Sequence, residues 1–248
     1  MRKTNPKEAE RTMSPRPRSR GLFRRGGSLA TFLLVVLGLA ACSVAPSHAS
    51  VVASPKRPTP SRVTAVVIGD SVAAGLGVQP DESWPALVAS AENWQLDNLA
   101  VSGAGFVAPG DDGKTFEAQV AKAIDVNPRI VIVGATDNDV GTDGGTLDDA
   151  ASTQLKALRA GLPHAIILGT NALSGAVAQA DLDDGDARVQ QAVIAVGGHW
   201  LDLGQPFQGQ SSLVQNDGEH PTAAGHQMVA KELLVAIRRL RLPTGLAS

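Results

Sequence analysis

The chain has 248 residues, 43% of them hydrophobic and 19% charged, with a formal net charge of -2 at pH 7. That is the balance of a globular protein with length enough for one sizeable core, and near-neutral charge gives no reason to expect a nucleic-acid partner. Aromatic residues are 3% of the chain and tyrosine is absent, which argues against a base-stacking surface or a long aromatic sugar platform. The single cysteine, Cys42, cannot form an intrachain disulfide, so the fold must rest on its core alone.

The first sixty residues read as an address. Basic, Pro- and Ser-rich sequence runs from Arg2 to Arg25, followed by an apolar stretch from Ser28 to Ala41. That stretch is short for a membrane span, which takes about 20 residues. A basic flank, a short apolar core and small residues after it make an export signal. Its ending, Leu39-Ala40-Ala41-Cys42, resembles a bacterial lipobox, which implies lipidation of Cys42 and a membrane anchor. Residues 1–41 are thus expected to be a signal peptide. Residues 42–61, rich in Ser, Pro and Ala and carrying His48, read as a flexible tether. The folded domain is expected at 62–242, with a short tail at 243–248.

The domain opens with a strand from Val63 to Gly69 that stops on Gly69-Asp70-Ser71. A buried strand ending in a serine sets a hydroxyl at the carboxyl edge of a sheet, although the tripeptide alone is ordinary turn chemistry. A helix follows at Trp84, with Ser83 as its expected cap, Pro85 in its first turn and Trp84 packing in the core. A second strand, Gln95 to Val101, runs into Ser102-Gly103-Ala104-Gly105, a loop that lets backbone N–H groups approach a ligand. Thr115 to Val126 has helical spacing, with Phe116, Val120 and Ile124 on one side. Arg129 to Val133 is the clearest buried strand and ends in Gly134-Ala135-Thr136-Asp137-Asn138-Asp139.

Beyond it come a helix at Ala151 to Leu162, a strand at Ala165 to Leu168, a helix at Ala187 to Val196 and a short strand at Trp200 to Leu203. A last helix runs from Thr222 to about Leu240 behind Asp217-Gly218-Glu219-His220-Pro221. This alternation implies an α/β fold, a mostly parallel sheet covered by helices on both faces. Of the other histidines, His226 is expected in packing or capping, and His164 and His199 at the opposite sheet edge. Asp137, Asp139, Asp143, Asp148 and Asp149 form an acidic patch that reads as a solvated loop and helix start rather than a metal site.

In a parallel sheet the strand ends share one edge, which gathers Ser71, Gly103, Asn138 and the Asp217–His220 segment. Serine is a weak nucleophile until a base removes its proton, and the base works best when a carboxylate holds its tautomer. The three-residue spacing of Asp217 and His220 lets both side chains face one way. With these pieces in order, the sequence from about Val63 to Leu240 resembles the SGNH/GDSL hydrolases. The matching blocks are Gly69-Asp70-Ser71, Asn98-Leu99-Ala100-Val101-Ser102-Gly103, Asn138-Asp139 and Asp217-Gly218-Glu219-His220-Pro221.

The resemblance implies a three-layer α/β/α sandwich, flavodoxin-like, and a serine esterase that needs neither metal nor cofactor. It implies Ser71 as nucleophile, His220 as general base and Asp217 as its orienting carboxylate. The backbone N–H groups of Ser71 and Gly103 and the side-chain amide of Asn138 would form the oxyanion hole. The run from Gly69 to Leu87 looks like the arylesterase and lysophospholipase/thioesterase branch, which suggests small acyl esters, lipids or acetylated glycans as substrates. One departure stands out: the family's third block is usually Gly-x-Asn-Asp, and here a residue looks inserted between Gly134 and Asn138. A binding protein that keeps the fold without turnover is the competing expectation. A monomer, tethered to a membrane through Cys42 or else secreted, is the expected form.

Overall fold

Strand β1, Thr64–Ile68, carries five residues, four of them buried, and is an inner strand of the sheet in the computed structural model, which describes residues 62–241. The signal peptide, the lipobox with Cys42, the tether with His48 and the tail at 243–248 lie outside these residues. The other strands are β2 (Gln95–Asn98), β3 (Ile130–Gly134), β4 (Ile166–Thr170) and β5 (His199–Leu201). All neighbours pair in parallel, in the order β2-β1-β3-β4-β5. This is the flavodoxin-like order, and its chain direction reverses between β1 and β3.

The helices are α1 (Ser71–Ala74), α2 (Trp84–Ala91), α3 (Phe116–Val126), α4 (Gly144–Gly161), α5 (Gln179–Ala195) and α6 (Ala223–Arg239). Alternate residues of each central strand point to opposite faces, so the strands must be apolar throughout. Val66, Ile68, Val131, Val133 and Ile167 pack under α3, α4 and α5, while Ala65, Val67, Ile130, Ile132 and Leu168 pack under α1, α2 and α6. The expected three-layer α/β/α architecture is thus what the chain forms. At one end of the first core Phe106 meets Phe116 edge to face, with centroids 5.1 Å apart.

Several boundaries differ from the sequence reading. Helix α4 begins seven residues ahead of Ala151 and α5 eight ahead of Ala187. Gly144-Gly145-Thr146 and Asp183-Asp184-Gly185-Asp186 are poor helix formers. The first is held by Asp143, whose Oδ1 accepts the Thr146 N–H at 3.0 Å. The second is pinned by Arg188, which bridges Asp184 and Asp148 at 2.8 and 2.6 Å. Ser83 occupies the cap position of α2 but does not cap it, because its hydroxyl donates to the Pro80 carbonyl. The cap comes from across the fold: buried His226 accepts the Trp84 N–H through Nδ1 at 3.2 Å, and so joins α6 to α2. Burial leaves that imidazole hard to protonate and lowers it to about 4, as a neutral acceptor requires. His164 and His199 lie at the amino ends of β4 and β5, away from the strand ends described next.

Candidate active site

Ser71 follows β1 directly and is the first residue of α1, whose cap is Asp70. Asp70 Oδ1 accepts the Val72 and Ala73 N–H groups at 3.0 and 3.4 Å, which forces the strand-to-helix turn. The residue before it is fixed twice: Gly69 donates its N–H to Gln119 Oε1 and accepts Gln119 Nε2 at its carbonyl, both at 2.9 Å. That side-chain amide, on α3, substitutes for a neighbouring strand where the sheet ends.

The turn aims the Ser71 hydroxyl at His220, 149 residues later, with Oγ and Nε2 2.9 Å apart. On the other side of the ring, Nδ1 lies 2.9 Å from Asp217 Oδ2. Asp217 is itself fixed by its own loop, since Oδ1 accepts the N–H groups of Glu219 and His220 at 2.9 and 3.1 Å. These two backbone bonds and the imidazole hold its carboxyl down at about 2. An ionised Asp217 accepts from Nδ1–H, which leaves Nε2 as the acceptor facing the serine; this tautomer is assigned from the network. Ser71 and His220 are nearly covered, at 8% and 9% exposure, whereas the Asp217 side chain is 46% exposed.

The Asp217–His220 segment is tied to the rest of the edge by Gln215. Its N–H donates to the His220 carbonyl at 2.8 Å, and its Nε2 donates to Leu76 and Pro221 carbonyls at 2.8 and 2.9 Å. From the β4 side, Gly175 donates to the Glu219 carbonyl at 3.0 Å.

Gly103 has φ +75°, a left-handed conformation that glycine adopts without strain. A Cβ there would meet Gly110 and Asp111 only at ordinary contact, 3.7 Å and more. The glycine is therefore required by its backbone conformation and not by crowding. Among the described residues, neither the Ser71 nor the Gly103 N–H donates to a protein acceptor. Asn138 differs: its Nδ2 donates to Thr136 Oγ1 at 2.9 Å and to the Ala104 carbonyl at 3.2 Å.

Pairing of β3 with β4 runs without a bulge from Ile130 to Gly134. Thr136 lies two residues ahead of Asn138, in the turn that follows β3. Its hydroxyl donates to Asp70 Oδ2 at 2.7 Å. Asp139, read from sequence as part of a solvated patch, is buried and accepts three N–H groups, from Phe106, Val107 and Ala108, at 2.7 to 3.1 Å. It holds the loop that follows Gly103. Gln119, Thr136, Asp139 and Gln215 were not singled out as site residues from sequence, because each acts on backbone or side chains far along the chain. Thr136 and Gln215 lie close to recognised blocks and Asp139 lies inside one, whereas Gln119 gives no such signal.

A hydroxyl, an imidazole and a carboxylate in series beside two unengaged N–H groups can carry acyl transfer. The model of the GDSL-like Lipase/Acylhydrolase family matches residues 67–228. The chain belongs to this family. It is a serine esterase, and the expectation of a binding protein without turnover gives way. A GDSL lipase of Mycobacterium tuberculosis is 28% identical over 191 residues, which is 67% of this chain and 78% of that one.

Solved structures share the fold at lower identity. The psychrotrophic esterase EstA of Pseudoalteromonas sp. is 19% identical with a TM-score of 0.59, over 73% of this chain and 100% of its own. A family two carbohydrate esterase of Clostridium thermocellum, in complex with cellohexaose, is 20% identical with a TM-score of 0.59. That match spans 73% of this chain and 66% of the other.

Proposed function

We propose that this ester hydrolase works through Ser71 as nucleophile, with His220 as general base and then acid, and Asp217 as the group that orients and charges-balances the imidazole. The reading rests on one observation, the unbroken series from Ser71 Oγ through His220 to Asp217 at 2.9 and 2.9 Å. Ser71 Oγ attacks the ester carbonyl carbon as its proton passes to His220 Nε2. The carbonyl oxygen becomes an oxyanion that accepts hydrogen bonds from the N–H groups of Ser71 and Gly103 and from Asn138 Nδ2, whose longer bond to the Ala104 carbonyl is the one exchanged. Collapse of this intermediate expels the alcohol, which takes the proton from His220. Water, deprotonated by His220, then attacks the acyl-serine and releases the acid and the free hydroxyl.

Small acyl esters, lipids or acetylated glycans are the proposed substrates. The enzyme is proposed to be exported and held at a membrane through a lipid on Cys42, on the strength of the apolar stretch and lipobox in its sequence. Export and anchorage place the substrate outside the cytoplasm, where lipids and acetylated envelope glycans are available.

Hydrolysis of p-nitrophenyl acetate and of longer acyl esters tests the reading. Ser71→Ala is expected to lower kcat by about 10⁴-fold or more. Asn138→Ala is expected to lower it by about 10²–10³-fold. Equal rates for wild type and Ser71→Ala would remove Ser71 as nucleophile, and an unaffected Asn138→Ala would move the third donor elsewhere.

A further inference from the structure

Thr136 is 7% exposed, and its single hydroxyl touches both halves of the site. It donates to Asp70 Oδ2 at 2.7 Å and accepts from Asn138 twice, from the backbone N–H at 3.2 Å and from Nδ2 at 2.9 Å. A hydroxyl has one proton and two lone pairs, so this arrangement uses all three. The direction is forced. Both Asn138 groups are donors, so the hydroxyl proton can only go to the carboxylate.

The same logic fixes which way the Asn138 amide faces. Turned over, its carbonyl oxygen would face the lone pairs of Thr136 Oγ1 and the Ala104 carbonyl, two acceptors at hydrogen-bond distance. Only the orientation with Nδ2 inward is compatible with both. Asp70, at the other end, holds the first turn of the helix that begins with Ser71. One oxygen atom therefore connects the turn carrying the serine to the amide offered to the oxyanion.

We infer that Thr136 is a positioning residue for ester hydrolysis, whose hydroxyl, aimed by Asp70, locks the Asn138 amide in its donating orientation and in register with Ser71. The inference rests on the proposed roles of Ser71 and Asn138. Burial raises Asp70 to about 6, and assays at pH 8 keep it ionised and able only to accept.

The experiment is a double-mutant cycle on p-nitrophenyl acetate hydrolysis at pH 8, with Ser71→Ala assayed beside it. Thr136→Val removes the hydroxyl at nearly constant volume. It is expected to lower kcat by about 10–100-fold, the effect of a misplaced donor, with KM within about threefold of wild type. Thr136→Ser keeps the hydroxyl and is expected to restore kcat to within about threefold of wild type. In an Asn138→Ala background Thr136→Val is expected to add nothing further, because the group it positions is gone. Thr136→Ala replaces Thr136→Val in the cycle if the valine variant does not fold. Wild-type kcat in the variant lacking the hydroxyl would overturn the inference, as would losses that multiply in the double variant. A Ser71→Ala enzyme as fast as wild type would instead remove the nucleophile reading beneath it; an inactive Ser71→Ala beside an unimpaired Thr136→Val would remove the role of Thr136 alone.

Discussion

Asp70 is the residue whose chemistry and stability are most in conflict. It caps α1 and receives Thr136, yet burial pushes its carboxyl up from 3.8 to about 6. A raised folded-state value means that the proton is bound more tightly in the native state. The stability Asp70 contributes is thus complete below about pH 4 and is lost as pH rises through 6. Asp70→Asn removes this dependence. The stability of the variant relative to wild type is expected to improve by about 2 kcal/mol between pH 4 and pH 8, measured by urea unfolding at both. A difference that does not change with pH would mean that Asp70 is not a buried titrating group. Asp217 works in the opposite sense: its carboxyl is depressed to about 2, so its contribution is present above 3.8 and is lost as pH falls through 2. The two acids therefore give the acid side of the stability curve opposing slopes.

At the scale of elements, the site depends on loops packed backbone against backbone. A Cβ on Gly175 would come within 2.6 Å of the Glu219 carbonyl oxygen and 3.0 Å of that of Gly218. Gly175→Ala is therefore expected to shift the Asp217–His220 segment, lowering kcat by about 10²-fold at a stability loss of about 1–3 kcal/mol. Steady-state kinetics with a thermal melt checks this, and an unchanged kcat would show that the segment is held independently of β4. The strands and their order along the chain were legible from apolar runs such as Val66–Ile68 and Ile130–Val133, because a sheet covered on both faces needs continuous apolar strands. The starts of α4 and α5 were not, because their first turns have weak helix formers and depend on Asp143 and Arg188. At the site, the recognised blocks carried Ser71, Asn138, Asp217 and His220, which the fold gathers at one sheet edge. Gln119 escaped notice and Asp139 was read as solvated, because a glutamine on a helix or an aspartate in a turn shows nothing in sequence of a partner 50 or 33 residues away. The role of Thr136 was hidden because its hydroxyl contact joins it to Asp70, 66 residues away.

For the whole molecule, the arrangement is an α/β/α domain whose strand ends gather Ser71, His220 and Asp217, preceded by sequence that reads as export signal, lipobox and tether. No helix among the described residues is long and apolar enough to cross a membrane. The proposed attachment is through a lipid on Cys42. Each buried CH₂ of an acyl chain contributes about 0.8 kcal/mol to such anchorage. Cys42→Ser, expressed from the full chain, is expected to lose metabolic labelling with an alkyne fatty acid and to leave the membrane fraction. Labelling that persists in the variant would end the anchor proposal without touching the catalytic one.

The most direct measurement is covalent trapping of the nucleophile. A p-nitrophenyl alkylphosphonate releases p-nitrophenolate when an activated serine attacks phosphorus, and leaves a stable phosphonyl-serine. Peptide mass mapping is expected to find the adduct on Ser71, in step with loss of esterase activity, and to find none in Ser71→Ala. An adduct on another residue, or equal labelling of Ser71→Ala, would contradict Ser71 as the nucleophile.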